Sequence, residues 1–307
     1  MSKVLRIGTR ESQLAVWQAE LVKSQLAQNN IQSELVFIKS EGDIDLVTPL
    51  YEIGVQGIFT KTLDAALLSK RIDLAVHSMK DVPVQLAKGI VQAAVLKRAS
   101  YKDILVYKNS TDFLKDHNSI ATIATSSIRR KAQWLHHYPN HKIENLRGNV
   151  NTRLQKVKDN NWNGAIFAAA GIERINVRPQ NSIDITWMLP APAQGAIMVV
   201  CNENDTETKA ACEALNDVPT ALCTKIERDF LKTLMGGCST PISALAEIEN
   251  DNVHFKGNIF SLDGATFIET EKTIDLNNAD ALGFEAAKEL LNKGADKIAA
   301  AIRNAVI

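Results

Sequence analysis

The sequence predicts an α/β protein whose residues 1–216 form parallel sheets covered by helices, followed by a smaller α+β region. Two observations lead to this fold class. Short apolar stretches typical of buried strands alternate with amphipathic stretches typical of helices, which favours parallel sheets. A composition break at Asn216–Pro219 then separates this alternation from a tail with period-two patterning. With 307 residues, 45% of them hydrophobic, the chain can form two or three domains with buried cores.

The predicted elements follow in a regular order. Val4–Ile7 is the first strand, and the hydroxyl of Ser12 can cap the first helix. Further strands are predicted at Ser33–Ile38, Ile72–Val76, Ile104–Val106, Ile120–Ala124, Ala165–Ala168 and Ile197–Val200, with helices at Thr62–Leu68 and Arg129–Leu135. In the tail, helices are predicted at Ala221–Leu234, Ala279–Asn292 and Ala295–Asn304, with strands around Val253–Ile259 and Ala265–Thr270.

Charge and composition argue against several classes of partner. Lys+Arg and Asp+Glu both number 35, so no global charge attracts the protein to nucleic acid or to a membrane surface. No apolar run approaches membrane-spanning length, and Met1–Lys3 leads directly into the first strand without a secretion signal. The cysteines form no C-x-x-C pair and no metal-ligand spacing with histidine, so we expect no metal site and a cytoplasmic location.

The run His77–Pro83 places polar side chains directly after the apolar strand Ile72–Val76. Ligands of open α/β sheets bind at the carboxyl ends of the strands. Asp81, held there beside Lys80, is therefore a candidate for handling protons or positive charge. Taken alone, the two residues are more typical of an ordinary solvated turn.

Three further loops between a predicted strand and a predicted helix are basic and rich in hydrogen-bond donors. They are Thr9–Ser12, Thr125–Arg130 and Leu146–Arg153. A helix N-terminus and an arginine fork both favour anions, and arginine holds carboxylates with two parallel hydrogen bonds. Each loop could be a solvated helix cap, but three together in a neutral protein indicate a small polyanionic ligand.

Cys238 differs in setting from the other three cysteines. It follows Gly236–Gly237 and precedes Ser239–Pro241, in a stretch typical of an accessible turn. A thiol in such a turn can act as a nucleophile or as a covalent attachment point, although an exposed cysteine often has neither role.

These segments together resemble the porphobilinogen deaminases, also called hydroxymethylbilane synthases. The matching stretches occur in family order over nearly the whole chain: Arg6–Arg10, Ala75–Pro83, Thr125–Arg130, Leu146–Val150, Ala170–Arg174, Gln194–Ala196 and Gly236–Cys238. The resemblance implies a transferase of tetrapyrrole synthesis. Such an enzyme condenses four porphobilinogen molecules head to tail, with loss of ammonia, and releases the linear 1-hydroxymethylbilane by hydrolysis.

The resemblance also implies a role for each candidate residue. A dipyrromethane cofactor would be joined by a thioether to Cys238, and Asp81 would be the catalytic group. Loss of ammonia leaves an electron-poor azafulvene, and its capture leaves a cationic ring that a fixed carboxylate can stabilise. The carboxylates of cofactor and substrate would be bound by Arg10, Ser12, Lys80, Arg98, Ser127, Arg129, Arg130, Arg147, Arg153, Arg174 and Gln194.

The implied architecture has three domains, at residues 1–98 plus 196–216, 102–192 and 219–307. The first two would be like the lobes of type II periplasmic binding proteins, with the growing chain in the cleft between them. The third would be a small α+β domain with an antiparallel sheet that presents Cys238. We expect a monomer.

Two positions depart from the family pattern, and two other classes of protein are alternatives to this family. Gln56 stands where many relatives have lysine, and Ala193 replaces the first glycine of a Gly-Gln-Gly signature.

A non-catalytic two-lobed binding protein for a polyanionic small ligand would explain the arginines but leave Asp81 and Cys238 without a task. A phosphate-handling enzyme would need a glycine-rich phosphate loop or a metal-binding carboxylate set, which the sequence lacks.

Overall fold

The computed structural model of the protein describes residues 3–39, 60–234 and 240–305. These residues form two compact units. The first comprises 3–39, 60–99 and 195–222, and the second comprises 100–194, 223–234 and 240–305. The division into three domains at the boundaries given above stays a prediction.

The described residues contain strands in three sheets, with helices between most of them. The strands are β1 Leu5–Thr9, β2 Ser33–Phe37, β3 Leu74–Ser78, β4 Ile90–Leu96, β5 Asp103–Tyr107, β6 Thr122–Ala124, β7 Lys142–Glu144, β8 Gly164–Ala168, β9 Ser182–Asp184, β10 Ile197–Asn202, β11 Ile242–Glu249, β12 Asn252–Phe260 and β13 Phe267–Asp275. The α-helices are α1 Gln13–Gln28, α2 Lys61–Leu68, α3 Ile128–His137, α4 Val150–Asp159, α5 Ala169–Glu173, α6 Thr206–Glu213, α7 Val218–Thr233, α8 Leu282–Asn292 and α9 Ala295–Ala305.

The two five-stranded sheets have the same topology. The first has the order β2-β1-β3-β10-β4 and the second the order β7-β6-β8-β5-β9. In each, three neighbouring strands are parallel and one inserted strand, β10 or β5, is antiparallel to both of its neighbours. Two open mixed sheets with helices between their strands, and a small antiparallel sheet, confirm the predicted α/β fold class.

The prediction of wholly parallel sheets is wrong for β5 and β10. Each is the first strand that the chain forms after passing from one unit into the other. Two neighbouring parallel strands are joined by a crossover connection, which is usually a helix. The chain enters β5 and β10 from the other unit and not through such a crossover from a neighbouring strand. Apolar periodicity alone does not give strand direction.

Apolar side chains on both faces of the second sheet explain why its inner strands β5 and β8 are almost entirely buried. Ile104 and Val106 of β5 pack in one cluster with Val157 of α4, whereas Leu105 points to the opposite face and packs with Trp134 of α3. Side chains alternate between the faces of a strand, so a strand covered on both sides reads as a continuous apolar run. In the first unit, α1 covers β1, β3 and β10 through its apolar face.

The third sheet lies in the second unit and is antiparallel, in the order β11-β12-β13. Side chains of α3 and α7 link this sheet to the rest of the second unit. Gln133 Nε2 of α3 donates to Ser243 Oγ of β11 at 2.9 Å, and both atoms are buried. The buried carboxylate of Glu227 on α7 accepts from the amides of Ala193 at 2.6 Å and Ala246 at 2.8 Å.

Most predicted elements exist, with shifted ends. The predicted strand Ala265–Thr270 is β13, which begins and ends later, and a six-residue 3-10 helix, Leu276–Ala281, precedes α8. Strands β4, β7, β9 and β11 were not predicted. The pairing of β4 with β10 joins distant parts of the sequence, whereas β11 and β12 form a hairpin across Asn250 and Asp251.

Candidate active site

Asp81 and Lys80 lie in a 3-10 turn, Met79–Asp81, at the carboxyl end of β3. The turn is tied to its surroundings at two points. Gln18 Nε2 of α1 donates to Ser78 Oγ at 2.9 Å, and the amide of Met79 donates to the carbonyl of Ala196 at 3.0 Å. Gln18 and Met79 are buried, whereas Lys80 and Asp81 are half-buried. The charged side chains therefore project from a turn with a fixed backbone.

The first sheet brings the other candidates of its unit to the same edge. Strands β1 and β3 are parallel, so Arg10 and Ser12 follow β1 at the edge where Asp81 follows β3. Ile197 of β10 pairs with both Ser78 and Leu96, which places the end of β4, and hence Arg98, at that edge too.

Two of these residues also have structural contacts. Ser12 Oγ accepts from the amide of Ala15 at 3.4 Å and caps α1, as its position predicts. The amide of Arg98 donates to Thr220 Oγ1 at 3.1 Å. The hydroxyl of Ser12 thus has a task independent of any ligand.

His77, the residue that opens the predicted run, is buried beneath this edge. Burial, and to a smaller extent the nearby Arg10 guanidinium, lower its pKa to about 4. Its Nε2 atom has no hydrogen-bond partner among the described residues. His77 lines a small cavity with Thr60 and Asp64, and burial also raises the pKa of the Asp64 carboxyl. His77 is therefore uncharged at neutral pH.

In the second unit, Ser127 caps α3 by accepting from the amide of Arg130 at 3.4 Å. Arg129 and Arg130 follow in the first turn of α3, but their side chains are only 6% and 8% exposed. Both form ion pairs with Asp103, the first residue of β5. Arg129 Nη2 lies 2.6 Å from Asp103 Oδ2, and Arg130 Nη2 lies 2.7 Å from Asp103 Oδ1.

Gln194 joins the same cluster. Its Nε2 donates to Asp103 Oδ1 at 2.9 Å and to the carbonyl of Tyr101 at 2.7 Å. Sequence reasoning missed Asp103, which is fully buried. The available signal was an acidic residue directly before the apolar strand Ile104–Val106, since a buried carboxylate requires a cationic or hydrogen-bonding partner.

The other three candidate arginines in this unit lie at the same edge of the second sheet. Arg147 follows β7 and is buried, Arg153 lies in α4, and Arg174 follows α5 at the end of β8. Strands β6, β7 and β8 are parallel, and Asp103 pairs with Ala168 at the end of β8. Burial lowers the pKa of Arg174 to about 10, so its guanidinium still carries its charge at neutral pH.

Gly148, next to Arg147, has a positive φ of +112°. A Cβ atom there would lie 2.8 Å from Thr152 Cγ2, so the turn into α4 needs glycine. Ala193 also has a positive φ, +60°, which explains why glycine suits this position in relatives.

The structure assigns Arg10, Ser12, Lys80, Asp81 and Arg98 to one unit and Ser127, Arg129, Arg130, Arg147, Arg153, Arg174 and Gln194 to the other. Cys238 and Gln56 lie outside the described residues. Among the described residues, no group of three or more His, Cys, Asp and Glu side chains could hold a metal ion. In the same part of the chain, every helix is too short or too polar to cross a bilayer.

Two family models match the sequence. The model described as porphobilinogen deaminase, dipyromethane cofactor binding domain, matches residues 5–210, and the model of the C-terminal domain matches residues 221–292. The porphobilinogen deaminase of Chlorobium phaeobacteroides strain BS1 is 39% identical over 311 aligned residues, with 99% of each chain covered. That of Syntrophotalea carbinolica is 39% identical over 305, covering 98% of this chain and 96% of the relative.

Solved structures with partial likeness include the VFT2 domain of BvgS from Bordetella pertussis and the probable amino-acid transporter binding protein YtmK from Bacillus subtilis. The first is 12% identical with a TM-score of 0.43, covering 71% of this chain and 89% of that one. The second is 14% identical with a TM-score of 0.41, covering 70% and 91%.

Proposed function

The chain belongs to the porphobilinogen deaminase family, and on that premise we propose which of its residues carry out the reaction. Its activity is that of a hydroxymethylbilane synthase, a transferase of tetrapyrrole synthesis with a dipyrromethane cofactor. The alternative of a non-catalytic binding protein is not favoured, because relatives of the same length bear the name of the enzyme.

We assign the chemistry to Asp81. One observation carries this assignment: a half-buried carboxylate projects from a fixed turn at the carboxyl end of β3, at the sheet edge that also carries Arg10, Lys80 and Arg98. A carboxylate held there can accept a proton from a pyrrole nitrogen of porphobilinogen and stabilise the positive charge left by the departing ammonia.

The arginines fit the chemistry of the cofactor and substrate. Each pyrrole carries an acetate and a propionate, and each needs a cationic donor once it leaves water. Arg129, Arg130 and Arg147 are buried and Arg174 is half-buried, which favours short charge-assisted hydrogen bonds to an anion that enters the site. When bound, the dipyrromethane supplies the terminal pyrrole that extends the chain. Arg10, Arg98 and Arg153, with Lys80, Ser12, Ser127 and Gln194, complete the proposed set.

We place the covalent attachment at Cys238. The other three cysteines, Cys201, Cys212 and Cys223, are buried, and burial raises the pKa of the Cys201 and Cys212 thiols, so these are poor nucleophiles. We further propose a cytoplasmic monomer with porphobilinogen as its substrate.

Intact mass of the purified protein tests the assignment of Cys238. We expect the wild type to carry two additional pyrrole units and Cys238→Ala to carry none, with loss of turnover. Cys223→Ala is the matched control because that thiol is buried, and it should keep the added mass. A fully active wild type without added mass would contradict the function itself, whereas added mass on Cys238→Ala would contradict only the attachment point.

A further inference from the structure

Asp103 is a buried carboxylate that accepts hydrogen bonds from three residues in two segments of the chain. Its Oδ2 accepts from Arg129 Nη2, and its Oδ1 accepts from Arg130 Nη2, from Arg130 Nε at 3.1 Å and from Gln194 Nε2. Asp103 is fully buried, and both guanidinium groups lie beside it in the first turn of α3. No role has been given to Asp103 so far.

The remaining contacts fix the direction of both arginine forks. Arg129 Nη1 donates to the carbonyl of Leu189 at 2.7 Å, and Arg130 Nη1 donates to the carbonyl of Ile166 at 3.1 Å. With the terminal nitrogens on either side held by a carboxylate and a carbonyl, neither planar group can rotate without losing a charge-assisted hydrogen bond. Asp103 is the one partner that the two forks share.

The charges of this set do not cancel. Two guanidinium groups against one carboxylate leave a net charge of +1 on side chains that are all less than a tenth exposed. Burial lowers the pKa of Arg129, and Asp103 opposes that shift. Arg129 Nε is also buried and has no hydrogen-bond partner among the described residues. A buried cation with an unused donor is costly unless an anion approaches it.

We propose that Asp103 is a positioning residue, which orients Arg129 and Arg130 so that the pair presents one net positive charge to one carboxylate of the dipyrromethane cofactor. This inference rests on the proposed function. Asp103 does not touch the ligand. It sets the direction of the guanidinium groups and neutralises one of them, so that the site takes a single carboxylate.

Intact mass of purified Asp103→Asn tests this role, because the fraction of chains carrying two extra pyrrole units is measured without any assay of activity. In metal sites, loss of a residue that orients a ligand typically weakens binding about 10- to 100-fold. By analogy, we expect the fraction of Asp103→Asn chains that carry the two pyrrole units to fall at least about tenfold. Asp73→Asn is the matched control. Asp73 is also buried and binds Lys3 and Arg6, each at 2.9 Å, but it lies outside the proposed set.

Both variants should unfold at lower temperature than the wild type, and only Asp103→Asn should lose the added mass. Full loading of folded Asp103→Asn, or an equal loss in Asp73→Asn, would overturn the proposal. If the wild type itself carried no added mass, the proposed function would fail instead.

A second comparison applies if Asp103→Asn does not fold. Arg130→Gln leaves Arg129 paired with Asp103. The double variant Asp103→Asn/Arg130→Gln keeps the wild-type net charge of +1 on these three side chains, but it removes the carboxylate that orients Arg129. We expect higher loading in Arg130→Gln than in the double variant. Equal or higher loading in the double variant would mean that charge alone matters and would overturn the positioning role.

Discussion

The two five-stranded sheets share one topology but carry different chemistry at corresponding edges. In the first unit, the edge where β1, β3 and β4 end bears a half-buried carboxylate, Asp81, on a fixed turn. In the second unit, the edge where β6, β7 and β8 end bears buried arginines, two of which share Asp103. The fold supplies loops at the carboxyl ends of strands in both units, and the side chains on those loops decide between proton handling and anion binding.

The largest effect that this comparison predicts is on turnover in the first unit. Asp81→Asn removes the charge but keeps the shape, so kcat should fall by about 10²–10⁴, the usual contribution of a positioned acid or base. The free energy of unfolding should change little, because Asp81 is half-buried in a short turn. Turnover should be measured per chain that carries the added pyrrole mass, so that loading and chemistry are separated.

Asp112→Asn is the surface control for this change. Asp112 lies in the second unit and pairs with Lys115 at the surface, so the variant should keep wild-type turnover. Normal turnover in Asp81→Asn would remove the proposed difference between the two edges.

How much of this comparison the sequence could predict depends on the range of each contact. The predicted cap role of Ser12 is local and is confirmed, since its hydroxyl accepts from the amide of Ala15, three residues ahead. Ser127 makes the same contact with the amide of Arg130, although it was predicted only as a ligand donor. The pairing of Arg129 and Arg130 with Asp103 joins residues 26 and 27 positions apart, and no local pattern identifies it. The sequence predicted that the guanidinium groups of Arg129 and Arg130 face a ligand. In the structure, most of their N–H groups donate to other residues of the protein.

A smaller effect is expected on the pH dependence of stability, through His77 in the first unit. Its pKa is about 4 in the folded protein and should be near 6.5 when unfolded, so the unfolded chain binds a proton first as the pH falls. His77 therefore costs no stability above pH 6.5, and its destabilising contribution grows to about 3 kcal/mol as the pH falls to about 4.

The measurement is the free energy of unfolding of wild type and His77→Gln between pH 7 and pH 4. The variant should show a shallower loss over that window. Burial also lowers the pKa of His137 and His141, which contribute in the same direction but are present in both proteins. His254→Gln, on β12, is the control and should follow the wild type. Parallel curves for wild type and His77→Gln would mean that His77 is not held neutral.

The smallest effect separates the cap role of a serine from its proposed ligand role at each edge. Ser12→Ala and Ser127→Ala should each lower the free energy of unfolding by about 1 kcal/mol, the usual cost of losing an N-cap. Aspartate is as good a cap as serine, so Ser12→Asp and Ser127→Asp should restore that stability. The negative charge of aspartate would repel a ligand carboxylate. In the same variants, the loaded fraction measured by intact mass should therefore fall, or the KM for porphobilinogen should rise. An aspartate variant that regains stability and keeps wild-type loading and KM would show that the serine at that edge only caps its helix.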